Sequence, residues 1–185
     1  MLQIIIQGRG GQGAQTAGNL LAMAFYAQSR QVQCFASYGG ARRGTPVSSY
    51  LRVADRPIRL RCDIERADAI LCFDASLLEG RLLATAHADT LLIVNSARSI
   101  GQFALELPGY RVIPVDGLAI ARDNRLGRIV NSALLGALAR ALQTPTLETL
   151  TRTLVQQSPK LHEQNIAACR DGYHWADRQL QGVGP

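Results

Sequence analysis

The run Gly8-Arg9-Gly10-Gly11-Gln12-Gly13 follows an apolar stretch at 2–7 and precedes a segment of helical periodicity at 14–28. No other feature of the sequence constrains the fold as much. A buried strand that turns on glycines straight into a helix is an opening unit of an α/β sheet. It also builds an anion site, because the backbone comes close to a ligand while free N–H groups and the positive end of the helix dipole face it. Gly8, Gly10 and Gly13 satisfy G-x-G-x-x-G, the dinucleotide fingerprint. In the helix, Ala17, Leu20, Leu21 and Ala24 form an inward stripe, and Gly18 lets it sit close to the sheet.

Strands and helices then alternate. A second strand is expected at 32–36. The segment 37–46 holds three glycines and a proline, so it reads as a loop. Segment 47–53 reads as a strand, Arg56-Pro57 breaks it, and 58–61 resumes with alternating polarity. This pattern predicts an edge hairpin with one wet face. The apolar run 69–73 predicts a central parallel strand, with Ser76 capping a helix at 77–83. Further strands follow at 90–95 and 110–116, and Pro114 places the last of them at a sheet edge. Asp74, Asn95 and Asp116 end these strands on the edge that carries the glycine loop, where open α/β sheets bind ligands.

The last third reads as helical. Asn131 or Ser132 caps a helix with Leu134, Leu135, Leu138, Ala141 and Leu142 inside. Thr146 caps another with Leu147, Leu150 and Leu154 inside. Ser158-Pro159 opens a third, with Ile166, Cys169, Tyr173 and Ala176 on one face. The expected fold is α/β: a doubly wound, mostly parallel Rossmann-like sheet with an inserted hairpin and a helical C-terminal section. It forms a single domain over 1–181, followed by a frayed tail at 182–185.

Composition excludes several classes. No apolar run reaches the roughly 18 residues of a membrane span, and no leader pattern opens the chain. The expectation is a soluble, cytoplasmic protein that engages no membrane. Cys34, Cys62, Cys72 and Cys169 lack metal-ligand spacing and read as separate buried thiols. Of the three histidines, His87, His162 and His174, the last two fall on one face of the last helix, but the spacing provides no third ligand beside them, so no metal site is expected. Charge is uneven: residues 1–61 carry eight arginines and a single acid, Asp55. A solvated face normally mixes signs, so this third is expected to meet an anion. Aromatic residues make up only 5% and are not interleaved with the arginines, which argues against nucleic acid.

Specific chemistries can be tested against the motifs. A Rossmann NAD site needs an acid about 20 residues past the glycines, and none occurs before Asp55. Arg42 and Arg43 could hold a 2′-phosphate instead, which leaves a stand-alone NADP-binding oxidoreductase domain as the alternative. There is no P-loop lysine, no nucleophile elbow and no nucleophile–base pair. No catalytic residue is assigned, and the chain reads as a binding domain.

The sequence 4–13, then Ser37-Tyr38-Gly39, Arg42-Arg43-Gly44-Thr45-Pro46-Val47, Arg52 and Pro57-Ile58-Arg59, resembles the gamma subunit of 2-oxoacid:ferredoxin oxidoreductases, the pyruvate-type family. Later blocks at 91–95, 131–138 and 160–168 keep the same order. The resemblance implies a subunit of an enzyme that oxidatively decarboxylates a 2-oxoacid to acyl-CoA and passes electrons to ferredoxin. It implies partner subunits that carry thiamine diphosphate with Mg and the [4Fe–4S] clusters. This chain is then expected to contribute coenzyme A binding and subunit packing. Gly8, Arg9, Gly10, Gly11, Gln12 and Gly13 are expected at the phosphates, Arg42 and Arg43 supply charge, and Ser37 and Tyr38 shape the pocket wall. Loop 37–46 serves either coenzyme A or a partner chain. The 2-oxoacid itself is not specified.

Overall fold

The computed structural model describes residues 1–39, 44–157 and 160–182. Its elements are β1 (Leu2–Arg9), α1 (Ala14–Ala27), β2 (Gln31–Tyr38), β3 (Pro46–Ala54), β4 (Ala69–Cys72), α2 (Gly80–Leu83), β5 (Leu91–Asn95), α3 (Ile100–Glu106), β6 (Arg111–Val115), α4 (Gly117–Asp123), α5 (Asn131–Leu142), α6 (Leu147–Gln157) and α7 (His162–Gln181). The six strands form one sheet in the order β2-β3-β1-β4-β5-β6. β1, β4, β5 and β6 pair in parallel. β3 runs antiparallel to both β1 and β2, so five of the six strands point one way. The α/β, mostly parallel architecture is as expected.

The continuous apolar run of β1 is explained by two-sided burial. Ile4 and Ile6 enter the core beneath α1, α5, α6 and α7. Ile5 enters the opposite core with Tyr50, Ile70, Leu92, Ile64 and Phe103. All three isoleucines are essentially inaccessible, and each contributes about 1.5–3 kcal/mol by leaving water. The long helices crowd one face, while among the described residues the other carries the short α2 and α3 and connecting segments. Gly18 permits the close seat of α1: a Cβ there would lie 2.0 Å from Ser49 Oγ on β3. The stripe Ala17, Leu20, Leu21 and Ala24 is buried as expected.

Several local expectations are corrected. The inserted hairpin is β2–β3, and it is not 47–53 with 58–61. β3 lies between β2 and β1, inside the sheet, because Leu51 and Val53 point to one core and Tyr50 to the other. Residues 58–61 form no strand. Ser76 is no cap; the Asp74 carboxylate accepts from Ser76 N and caps a single 3-10 turn, Ala75–Leu77. Neither Asn131 nor Ser132 caps α5, whose N-cap is Val130. Ser132 Oγ donates instead to Asn165 Oδ1 at 2.7 Å. Thr146 does cap α6, accepting from Thr149 N. α3 and α4 arise at Ser99 and Asp116 caps that the periodicity did not show. β6 is an edge strand, where Pro114 needs no ladder donor. Ser158-Pro159 lies outside the described residues; α7 begins at His162 and buries Asn165, Ala168, Cys169, Gly172 and Ala176.

Candidate functional site

The glycine loop lies where the chain's windings part. From β1 the chain crosses over α1 toward β2, whereas from β4 it proceeds the other way to β5 and β6. Ligands of open α/β sheets bind in the crevice that this reversal leaves at the strand ends. A cavity of about 650 Å3 occupies it, lined by Gly10–Gly13, Phe73, Asn95, Leu118 and residues 128–131.

Each glycine has its own reason. At Gly8 a Cβ would stand 3.1 Å from Phe73 Cβ and from Gln12 Oε1, so bulk there would push β1 off β4. Gly11 has φ +96°, which L side chains avoid. Gly13 combines φ +90° with a Cβ position 2.6 Å from Asn131 Nδ2. Not all loop N–H groups are free. Gly10 N donates to Thr45 O and Gln12 N to Arg9 O, both at 2.9 Å. The N–H groups of Gly11 and Gly13 have no hydrogen-bond partner among the described residues, and those of the first turn of α1 have none within the helix.

Arg9 is engaged within the protein. Its Nε donates to Asp74 Oδ2 at 2.8 Å, Nη2 to Ser76 Oγ at 2.8 Å and Nη1 to the carbonyl of Gly44 at 3.3 Å. Burial raises the Asp74 pKa, but hydrogen bonds from Ser76 and Arg9 outweigh it and hold the carboxyl below its usual value. Gln12 Oε1 accepts from Arg9 N at 2.7 Å. Arg9 and Gln12 therefore shape the loop and tie it to β4 and residue 44.

The other expected site residues separate. Ser37 and Tyr38 are neighbours on a strand and face opposite sides of the sheet. The Tyr38 hydroxyl donates to Gln15 Oε1 at 2.6 Å on the α1 side. Ser37 lines a second cavity on the other face, with Gln7, Ser48 and Tyr50. Neither lines the crevice. Arg42 and Arg43 lie outside the described residues. The basic N-terminal third is less free than its charge suggested. Arg30 pairs with Asp55 at 3.1 Å. Arg52 is 1% exposed and donates to Gln3 Oε1, Gln33 Oε1 and the carbonyl of Asp63.

Two crevice residues, Asn131 and Arg128, were not foreseen in this role, and a third, Asn95, was expected at this edge as a polar strand end. Asn131 donates to the carbonyl of Gly13. Asn95 Nδ2 donates to the carbonyl of Phe73 and its Oδ1 accepts from Gly117 N, which joins β4 to α4. Arg128 lines the same cavity as the glycines. Asn95 was visible as a polar strand end. For Asn131 the only signal was its place in a family-like block, and for Arg128 there was none.

The cysteines are free thiols. Burial pushes Cys72 up to about 11 and Cys169 up to about 12. Cys62 is exposed and Cys34 half-buried, which corrects the expectation that all four are buried. Among the described residues no three His, Cys, Asp or Glu side chains are grouped to hold a metal ion. No helix among them is long and apolar enough to cross a membrane.

The family model described as pyruvate ferredoxin/flavodoxin oxidoreductase matches residues 3–175. The chain belongs to that family. Within the pyruvate ferredoxin/flavodoxin oxidoreductases it is a gamma-type subunit. It is 34% identical over 177 residues to the pyruvate/ketoisovalerate oxidoreductases common subunit gamma of Pyrococcus abyssi, covering 94% of this chain and 96% of that one. It is 34% identical over 176 residues to pyruvate synthase subunit PorC of Methanocaldococcus jannaschii, with the same coverage. The crystal structure of pyruvate oxidoreductase subunit PORC from Thermotoga maritima matches with a TM-score of 0.82 at 29% identity, covering 94% of this chain and 95% of that one. A 2-oxoglutarate:ferredoxin oxidoreductase from Magnetococcus marinus matches with a TM-score of 0.80 at 20% identity, over 96% of this chain and 31% of that one, a likeness of fold.

Proposed function

We propose that this gamma-type subunit binds coenzyme A for a thiamine-diphosphate-dependent 2-oxoacid oxidoreductase and packs against the partner chains that carry the thiamine and iron–sulfur centres. The complex decarboxylates a 2-oxoacid to acyl-CoA in the cytoplasm and passes electrons to ferredoxin. The observation that carries this reading is the crevice: loop N–H groups on one wall, and no acid among the described residues that line it. Such a lining suits the phosphates of a coenzyme. The chain's own task is to hold and orient them; the bond-making belongs to centres on the partners.

The topology counts against the NADP-binding alternative. In a Rossmann site the second strand lies beside the first and presents the ribose-binding side chain next to the glycine loop. Here β3 takes that place and β2 is displaced by a further strand spacing of about 4.8 Å.

Reconstitution with the partner subunits tests the proposal. Arg42→Ala with Arg43→Ala is expected to raise the apparent KM for coenzyme A. An unchanged KM with weaker assembly assigns that loop to a partner contact. The isolated chain is expected to show no oxidoreductase activity, and sustained NADPH oxidation by it would overturn the proposal.

A further inference from the structure

Arg128 is the one charged side chain among the described residues lining the crevice. No ion pair or hydrogen bond engages that side chain among the described residues. Its backbone is nevertheless fixed. Leu126 and Val130 on either side are buried, Gly127 turns the chain at φ +63°, and Ile129 N donates to the carbonyl of Leu126. An unpaired guanidinium thus lines the same cavity as Gly11 and Gly13, on a backbone held in place. The same cavity carries apolar side chains: Phe73 and Val130 are buried, whereas Leu118 and Ile129 remain 42% and 50% exposed.

A guanidinium and glycine-loop N–H groups in one cavity with apolar side chains fit an anion that adjoins a non-polar group. A helix terminus alone contributes only a fraction of a kcal/mol to about 1 kcal/mol at an exposed site, whereas a guanidinium in the same cavity offers a full charge and a planar donor fork. The sequence gives Arg9 the better claim by position, but Arg9 is bound to Asp74.

We propose that Arg128 is a specificity-determining residue of the crevice, contacting a phosphate of the ligand while Leu118 and Ile129 take its non-polar part. This rests on the reading that the crevice takes coenzyme A.

The test uses the assembled oxidoreductase with Arg128→Ala and Arg128→Lys. Coenzyme A-dependent protection of segments 8–13 and 126–131 from hydrogen exchange is measured in the unaltered complex. Expected are protection of both segments and a rise of about tenfold in the KM for coenzyme A with Arg128→Ala. The 2-oxoacid KM and the melting temperature should stay unchanged, and Arg128→Lys should recover most of the loss. Protection with an unaltered coenzyme A KM in Arg128→Ala overturns the role of Arg128 and leaves the crevice reading standing. Absence of protection overturns the crevice reading, and the proposal with it.

Discussion

Asn131, at the start of α5, donates from Nδ2 to the carbonyl of Gly13 at 3.2 Å, across 118 positions of sequence. The bond ties the floor of the crevice to its glycine wall. The same side chain fills the space a Gly13 Cβ would occupy, so the two residues are coupled. Asn131→Ala is expected to cost about 1 kcal/mol, a lost hydrogen bond. Gly13→Ala should cost more, about 1–3 kcal/mol, from left-handed strain plus the clash. The double variant should be more stable than the sum of the two, because only the strain remains. Urea unfolding of all four proteins measures the cycle, and strict additivity would refute the coupling.

The Arg9–Asp74 pair predicts a pH dependence. The folded Asp74 carboxyl titrates below its ordinary value, so its contribution is present above the unfolded pKa of about 3.9. It is lost as pH falls through the folded value. Relative to Asp74→Asn, the unaltered chain should be more stable at neutral pH, and the difference should disappear in strong acid. Denaturation midpoints from pH 7 down to 2 follow this directly.

α5 and α7 meet through glycine. A Cβ at Gly136 would lie 1.9 Å from the carbonyl oxygen of Cys169, and one at Gly172 1.9 Å from that of Ala133. Backbone cannot step aside as a side-chain tip does. Either substitution to Ala should cost about 3 kcal/mol and lower the melting temperature by roughly 6–12 °C, with little effect if the helices pack more loosely.

Arg52 carries a buried charge whose bonded partners are neutral: two glutamine oxygens, a main-chain carbonyl and the Cys62 sulfur. Removing it leaves Gln3 and Gln33 without that donor inside the sheet. Arg52→Ala should destabilise by about 3 kcal/mol or more, from the cavity and the orphaned acceptors. Arg52→Lys should restore only part of this, since an ammonium lacks the planar fork. Calorimetry of the two variants distinguishes these outcomes.

The thiols should differ in reactivity. Under native conditions an alkylating reagent is expected to label exposed Cys62 first and half-buried Cys34 slowly. Cys72 and Cys169, buried and with raised pKa values, should react only after unfolding. Peptide mass spectrometry reads the order.

Much of the frame was legible because burial writes itself into local pattern. The Ile4-Ile5-Ile6 run, the α1 stripe and the edge-marking Pro114 all follow from which faces a strand or helix covers. The glycine loop was legible because its conformations exclude other residues. What escaped depends on long-range placement. Nothing near Ser49 or Tyr50 says that β3 enters the sheet between β1 and β2. The alternation at 58–61 imitates a strand but has no neighbour to pair with. Arg9 and Arg52 look like free cations until Asp74, Gln3 and Gln33 are brought to them. Arg128 enters the crevice only because α5 docks beside the glycine loop.

The reversed course of β3 also bears on how the chain assembles. β2 and β3 are joined by a short connection, β3 then docks on β1, and α1 covers the three strands, all within the first 54 residues. Loop closure over such short separations is inexpensive, and local pairing forms fast. The parallel pairing of β4 with β1 reaches further along the chain, from Ile4 to Ala69. The glycine turn thus belongs to a contiguous unit in the first 54 residues, whereas Leu118 and residues 128–131 bring the rest of the crevice from the second half of the chain.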